Sequence, residues 1–277
     1  MFEDKVQKEI NEYLFDKLNK NSMEVFPFLD DSWPAWQSYE DVKFKANSFG
    51  FRAEELTKLD SNKLNILYSG CSITFGYGLP PESMWTNMLT DKIKDVNETV
   101  EARNISYGGH STLAIIKNVM AYIRNYGKPD FIFLLLPHTG RTVYFHVNRY
   151  HNVFPPFVSH LNPWQEKYQE GFSLETQLFA DAQMINIFKD YCQEANINLT
   201  LATWSDYAYG FLGQSGLDNL LNLHQGIIFN EPKYNVNKDN LPYWLKAADH
   251  QHPGTLYNQI VAREMFKEFE KTYNKTN

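Results

Sequence analysis

The chain has 277 residues, of which 43% are apolar and 21% charged, and this composition excludes low-complexity and fibrous proteins. Its formal charge of −7 excludes a general electrostatic attraction to nucleic acids or anionic lipids. A chain of this size buries a large core without disulfide bonds or a structural metal. The start of the sequence lacks a signal-peptide pattern and no apolar run is long enough to span a membrane. We therefore expect a soluble protein, located in the cytoplasm or associated with a virion.

The first 61 residues are predicted to form an N-terminal extension that packs on the main domain. Apolar residues recur at helical spacing from Asp4 to Lys20, which indicates an amphipathic helix. The stretch from Phe26 to Tyr39 is rich in Pro, Trp and Asp and looks irregular. The sequence Asn47-Ser48-Phe49-Gly50-Phe51-Arg52 then leads through a short polar stretch to the first strand. We place the main domain at residues 62–277.

Strands and helices alternate along this main domain. The strongest strand signal is Asp130 to Leu136, which is apolar without alternation, as expected for a strand buried on both faces. Strands are predicted at 64–69, 100–105, 130–136 and 199–204, and helices at 82–96, 112–126, 174–196 and 255–273. This alternation predicts a three-layer α/β/α fold with a central parallel sheet.

Residues 142–172 interrupt the alternation. This insertion contains many aromatic residues, three histidines and three prolines, with no sustained period of a strand or a helix. Long loops inside compact domains tend to be functional or disordered, and the density of aromatic residues argues against disorder. Two interpretations stay open: the aromatic residues form a packed cap over the sheet, or they form a platform for a ligand.

Polar motifs follow the predicted strands and precede the last helix. Because ligands bind beyond the carboxyl ends of the strands in open parallel sheets, we expect these motifs to meet at one edge. The motifs are Gly70-Cys71-Ser72-Ile73-Thr74-Phe75-Gly76, Asn104-Ile105-Ser106-Tyr107-Gly108-Gly109-His110-Ser111, Pro137-His138-Thr139-Gly140-Arg141 and Asp249-His250-Gln251-His252-Pro253.

These residues are the types that acyl transfer requires. Ser72, at a strand-to-helix turn, is the candidate nucleophile, and His252 is the base that accepts its proton. Asp249 orients the imidazole and stabilises its charged form. The backbone N–H groups of Ser72 and Gly109 can point at one spot, where a carbonyl oxygen becomes an oxyanion.

Each of these residues also has a simpler interpretation. The alternative role of Ser72 is that of a helix N-cap at the strand-to-helix turn. Asp249 could equally cap the last helix, and His252 could be a surface residue. A metal site built from histidines is a weaker alternative, because the spacing of the histidines matches no known zinc pattern. We therefore expect no metal. Its candidate ligands are His110, His138, His250 and His252.

The first, second and last motifs resemble the conserved blocks of the SGNH or GDSL hydrolases, in the same order. The resemblance runs from about residue 62 to the C-terminus. It implies a flavodoxin-like fold and the activity of an esterase, lipase, thioesterase or glycan deacetylase, without a metal or organic cofactor. On this pattern Ser72, Asp249 and His252 take the triad positions, and Ser72 and Gly109 supply oxyanion N–H groups.

The chain departs from that family at two places. Cys71 stands where the family usually has Asp, which leaves the nucleophile in place. The third motif, residues 137–141, lacks the Asn that donates the third oxyanion hydrogen bond in the family. Thr139 or His138 is the candidate replacement, and we predict Thr139 as the donor.

Three residues are candidates for contacts with the substrate: His138, Arg141 and Tyr144. Arg141 either forms a structural salt bridge or binds an anionic group of the substrate. Aromatic faces stack on sugars, and no long apolar stretch suits a lipid interface. Both observations favour an O-acetylated carbohydrate over other small-molecule esters as the substrate.

The sequence therefore supports two hypotheses. The first is a serine hydrolase that cleaves a carboxylic ester through an acyl-enzyme. The second is a non-catalytic glycan-binding or structural module that keeps the fold but has lost turnover together with the missing Asn.

Overall fold

The computed structural model describes residues 46–137, 142–146, 149–153, 174–214, 216–217, 219–224 and 252–276. The strands of the described part are β1 (Leu64–Gly70), β2 (Val100–Asn104), β3 (Phe131–Leu136), β4 (Thr142–His146), β5 (Arg149–Val153), β6 (Asn198–Thr203) and β7 (Leu220–Asn222). The α-helices are α1 (Ser72–Phe75), α2 (Trp85–Lys94), α3 (Thr112–Tyr126), α4 (Leu174–Glu194), α5 (Asp206–Gln214) and α6 (Thr255–Thr276).

The central sheet has five strands in the order β2-β1-β3-β6-β7, and all of its pairings are parallel. This order is the one typical of flavodoxin-like folds, in which the direction of strand addition reverses beside β1. The prediction of an α/β/α protein with a central parallel sheet is confirmed. Its consequence for the site is that the carboxyl ends of β1, β2 and β3 lie next to one another.

The core is divided by the sheet into two clusters, as expected when a strand is buried on both faces. Successive residues of β3 belong alternately to the two clusters, with Leu134 on one side and Leu135 on the other. The first cluster joins the sheet to α3, α4 and α5, and the second joins it to α2 and α6. Both leucines are fully buried.

The described end of the N-terminal segment packs against the first cluster. Asn47 organises it, because its side-chain oxygen accepts hydrogen bonds from the N–H groups of Phe49 and Phe51, each at 3.0 Å. Gly50 allows the turn, with a φ of 80°. Phe51 is 1% exposed and belongs to the first core cluster. The predicted helix at 4–20 and the irregular stretch at 26–39 lie outside the described residues.

Several elements differ from the predictions made from the sequence. The helix predicted at 82–96 begins at Trp85, because Pro81–Ser83 forms a short 3-10 helix first. The insertion contains a hairpin of β4 and β5, although its sequence shows no strand period. Helix α5 and strand β7 were not predicted. Within the described ranges, no helix is long and apolar enough to cross a membrane.

Candidate active site

Ser72 lies directly beyond the carboxyl end of β1, which is the second strand of the sheet, between β2 and β3. It is the first residue of the one-turn helix α1, and 8% of its surface is exposed. Its Oγ lies 3.9 Å from Cys71 Sγ, a weak contact for a hydrogen bond. The side chain is therefore more enclosed than its position at a turn suggests.

Gly70 and Gly76 bracket this turn, and each is required for a different reason. A side chain at Gly70 would collide with Thr74 and would lie 2.9 Å from the backbone oxygen of Leu135. Gly76 ends α1 in the left-handed conformation, with a φ of 80°, and its N–H donates to the carbonyl of Ser72 at 3.0 Å. This conformation favours glycine because it has no Cβ. Both glycines belong to the first motif.

The second motif is joined to the first by a hydrogen bond from a side chain to a backbone carbonyl. Asn104, at the end of β2, donates from Nδ2 to the carbonyl of Thr74 at 3.0 Å. Its Oδ1 accepts from the N–H of Ser106 at 3.0 Å. The chain then turns at Gly109, where φ is 78°, and Ser111 caps α3 by accepting from the N–H of Ala114 at 3.2 Å. The turn that bears Gly109 is thereby held beside α1.

His252 lies three residues before the start of α6 and approaches the same edge. Its ring lies 5.4 Å from the ring of Tyr77, measured between centroids. Asn258, which is fully buried on α6, donates to the carbonyl of Gly254 at 3.0 Å and accepts from the N–H of Trp85 at 3.1 Å. Asn258 thus ties the segment after His252 to the beginning of α2.

An aromatic cluster connects the three motifs. It consists of Phe75, Tyr77, Tyr107, His110 and His252. Along it, the ring of Phe75 lies 4.7 Å from that of Tyr77 and 6.0 Å from that of Tyr107. The ring of Tyr107 lies 5.3 Å from that of His110, so the cluster runs continuously from His252 to the second motif.

Gly108 lets the cluster close against the second motif. A Cβ at Gly108 would lie 2.5 Å from the hydroxyl oxygen of Tyr77, so the absence of a side chain permits this contact. Tyr77 is 8% exposed. It therefore lies between the candidate base and the turn that bears Gly109.

The phenols of this cluster are neutral near pH 7, and burial moves their pKa values further from that range. Desolvation raises the pKa of Tyr77 above its ordinary value, and the nearby Tyr107 raises it further. Burial also raises the pKa of Tyr107. Neither phenol therefore adds a negative charge beside the imidazole near neutral pH, and both contribute neutral, mainly apolar surface.

The predicted site residues divide into two groups. Ser72, Gly109 and His252 lie in the described part, and the segments that bear them converge at the aromatic cluster. The others, Asp249, His138, Thr139 and Arg141, lie outside the described residues, while Tyr144 is described as part of β4 without its side chain. Their roles stay predictions.

The metal alternative has one candidate ligand besides His252 in the described part. His110 is 3% exposed and packs against Tyr107. Among the residues that the structure describes, no group of three or more His, Cys, Asp or Glu side chains could hold a metal ion. His138 and His250 lie outside that part.

Sequence reasoning missed Tyr77, Tyr107 and Asn258. Tyr77 follows the first motif directly and Tyr107 lies inside the second, so their position beside candidate site residues was a usable signal. Asn258 lies within a helix at a position that local sequence gives no reason to select, because its partners are a loop and a distant helix.

Comparison with known proteins finds solved structures that resemble this chain, but no family model or curated protein that matches its sequence. The chain is similar in structure to esterases. The psychrotrophic esterase EstA from Pseudoalteromonas sp. is 17% identical, with 76% of this chain and 100% of that chain covered and a TM-score of 0.45.

Two further solved structures are similar to this chain. The acetyl xylan esterase AlAXEase is 17% identical, with 73% of this chain and 98% of that chain covered and a TM-score of 0.45. A member of the lipolytic G-D-S-L family from Veillonella parvula is 12% identical, with coverages of 73% and 96% and a TM-score of 0.42.

Proposed function

We propose that this protein is a carboxylic ester hydrolase that works through an acyl-enzyme. The observation that carries the proposal is the aromatic cluster, which joins the turn after Ser72, the turn at Gly109 and the segment of His252. Three motifs far apart in sequence thereby share one edge of the sheet. Acyl transfer needs a nucleophile, a base and oxyanion donors within reach of one substrate atom.

The proposed reaction begins with attack of Ser72 Oγ on the ester carbonyl carbon, while His252 accepts the hydroxyl proton. The carbonyl oxygen becomes an oxyanion, stabilised by the backbone N–H groups of Ser72 and Gly109. Collapse of this intermediate expels the alcohol, which receives the proton from His252. Water then attacks the acyl-enzyme, with His252 again as base, and releases the carboxylic acid and Ser72.

Two parts of this mechanism rest on the sequence. Asp249 is assigned to hold the correct tautomer of His252 and to stabilise its protonated form. Thr139 is assigned as the third oxyanion donor in place of the Asn of the resembled family. A neutral hydroxyl can donate one such bond, although it lacks the amide geometry of Asn.

For the substrate we propose an O-acetylated carbohydrate. The support is the aromatic content of the insertion at 142–172, since aromatic faces suit the apolar faces of sugar rings. The hairpin of β4 and β5 belongs to this insertion. In the sequence it directly follows the third motif, which contains Thr139.

The first test is hydrolysis of p-nitrophenyl acetate by the wild type and by Ser72→Ala. We expect Ser72→Ala to lower kcat by about 10⁴- to 10⁶-fold, because no other group replaces the nucleophile. The midpoint of thermal unfolding should change by less than about 2 °C, since the described contact of Oγ is weak. A fluorophosphonate probe should label the wild type alone.

The same assay distinguishes the two hypotheses. His252→Ala should lose several powers of ten in kcat and Asp249→Asn somewhat less, because Asp249 acts only through the imidazole. Labelling that persists in Ser72→Ala would remove Ser72 as the nucleophile. A wild type that binds acetylated glycan without hydrolysing it would instead favour the non-catalytic module.

A further inference from the structure

Arg52, in the segment that precedes the sheet, contacts the turn after the candidate nucleophile. Its Nη1 donates to the carbonyl of Gly76 at 2.6 Å, and its Nη2 donates to the carbonyl of Leu79 at 2.7 Å. The side chain is 9% exposed. A buried guanidinium that donates two short hydrogen bonds to one turn restrains that turn strongly, because its fork is planar and rigid.

The bridged turn is the one that bears Tyr77. The N–H of Leu79 donates to the carbonyl of Gly76 at 3.2 Å, which closes the turn, and Gly78 lies within it at a φ of 67°. Without the guanidinium, both carbonyls would lose a short hydrogen bond in a mostly buried place. The turn would then relax, and the ring of Tyr77 would move with it.

Arg52 is itself held in place. Its neighbour Phe51 is buried in the core, and Asn47 organises the loop around both residues, with its Nδ2 donating to the carbonyl of Glu54 at 3.1 Å. Burial lowers the pKa of Arg52 to about 10 against the opposing effect of the nearby Glu82, and at this value the guanidinium stays charged near neutral pH. A rigid cation is therefore supplied from outside the motifs that bear the candidate triad.

We infer that Arg52 is a positioning residue for the site, which acts through the Gly76–Leu79 turn and Tyr77 on the imidazole of His252. This inference rests on the proposed function, but the contacts that carry it do not include the reacting atoms. A ring held at 5.4 Å from the imidazole restricts the orientations that His252 can adopt. Small displacements of a catalytic group can cost about 100-fold in rate.

The test compares Arg52→Met and Arg52→Lys with Lys58→Met. Met keeps much of the length of the side chain but has no N–H donors. Lys keeps the positive charge but lacks the planar guanidinium with its two donating nitrogens. Lys58 is the matched control, because it also lies before the sheet and donates to a backbone carbonyl, that of Asn125 at 2.6 Å at the end of α3. Two readouts are used: the NMR resonance of the His252 imidazole, assigned with His252→Gln, and the kinetics of acetate ester hydrolysis.

We expect Arg52→Met to move the His252 resonance, because the ring current of Tyr77 changes, and to lower kcat by about 10- to 100-fold with little change in KM. Arg52→Lys should have a smaller effect in the same direction. The acidic limb of the pH profile should shift in both variants. Lys58→Met should leave both readouts at wild-type values.

A double-mutant cycle tests whether the effect passes through Tyr77. If it does, Arg52→Met should add little to the loss already caused by Tyr77→Leu. Full additivity of the two losses would overturn the inference. So would wild-type values of both readouts in Arg52→Met or, if that variant does not fold, in Arg52→Lys.

The NMR readout separates this inference from the proposed function. A wild type without esterase activity, in which Arg52 variants still move the His252 resonance and Lys58→Met does not, would reject the hydrolase and support the positioning role. An active wild type, together with an unmoved His252 resonance in the Arg52 variants, would support the hydrolase and reject the positioning role.

Discussion

Single residues of the candidate site are constrained by close packing as well as by chemistry. Gly70 precedes the candidate nucleophile, Ser72, by two positions and lies against the backbone of Leu135 on the neighbouring strand. Gly108 lies against the ring of Tyr77 in the same manner. Gly70 and Gly108 are thus required by a neighbouring strand and a neighbouring ring, and a substitution at either should affect stability and activity together.

Gly70→Ala tests this requirement. We expect a loss of about 1 to 3 kcal/mol in the free energy of unfolding, because the new Cβ would meet the oxygen of Leu135 at 2.9 Å and must displace Thr74. Urea unfolding measures the loss, and the rate of ester hydrolysis should fall with it. The control is Gly210→Ala, since Gly210 lies in α5 with no atom within 4 Å of a new Cβ. Equal stability of Gly70→Ala and the wild type would contradict the packing argument.

At the scale of elements, helices α3 and α4 are joined by a buried carboxyl group beside the second motif. Asp181 on α4 is 4% exposed and accepts a hydrogen bond from Gln177 Nε2 at 2.8 Å. Burial raises the pKa of Asp181 from 3.8 to about 7, against the opposing effect of hydrogen bonds from Gln177 and Thr112. Thr112 is the first residue of α3, so the carboxyl lies close to the turn that bears Gly109.

This shift predicts a pH-dependent stability. Between about pH 4 and pH 7 the folded protein keeps a proton on Asp181 that the unfolded chain has lost. The free energy of unfolding should therefore fall by about 1.4 kcal/mol for each pH unit across this window and stay level above it, as far as Asp181 is concerned. Asp181→Asn should remove this contribution. The free energy of unfolding of the variant should therefore rise relative to that of the wild type as the pH increases.

Urea unfolding of wild type and Asp181→Asn across this pH window measures the difference, which should reach a few kcal/mol above neutral pH. The control is Asp190→Asn, because Asp190 lies on the same helix and is exposed. A difference between Asp181→Asn and the wild type that is the same at every pH would show that the carboxyl is charged in the folded protein throughout.

At the scale of the whole molecule, both layers of helices depend on the central strand. Leu134 and Leu135 are neighbours in β3 and are both fully buried, yet they face different helical layers. A sheet that is shared by two clusters should transmit the loss of either one to the other. The described domain should therefore unfold as one cooperative unit.

We expect Leu134→Ala and Leu135→Ala each to cost about 2 to 5 kcal/mol, because both leave a cavity in a close-packed core. Urea unfolding followed by circular dichroism and by tryptophan fluorescence should show one coincident transition for each variant. Val96→Ala is the control, since Val96 is 49% exposed and should change stability by less than about 0.5 kcal/mol. Separate transitions would show that the two layers unfold independently.

The sequence by itself determined the elements whose signals are local. The unbroken apolar run of β3 predicted a doubly buried strand, and apolar residues at helical spacing predicted α3 with its observed bounds. The motif at 70–76 was also expected at the carboxyl edge of the sheet, and Ser72 lies directly beyond the end of β1. These features are readable because the periodicity, the caps and the turn glycines act within a few residues of chain.

The tertiary structure decided what depends on partners distant in sequence. Strand β7 is three residues long and exists through its pairing with β6, so no local pattern predicts it. The contacts of Arg52 with Gly76, of Asn258 with Trp85 and of Tyr77 with His252 likewise join separate parts of the chain. Each partner alone has an ordinary local sequence. Folding brings them together, because burial of the two core clusters sets the order and register of the strands, which in turn sets the distances at their edge.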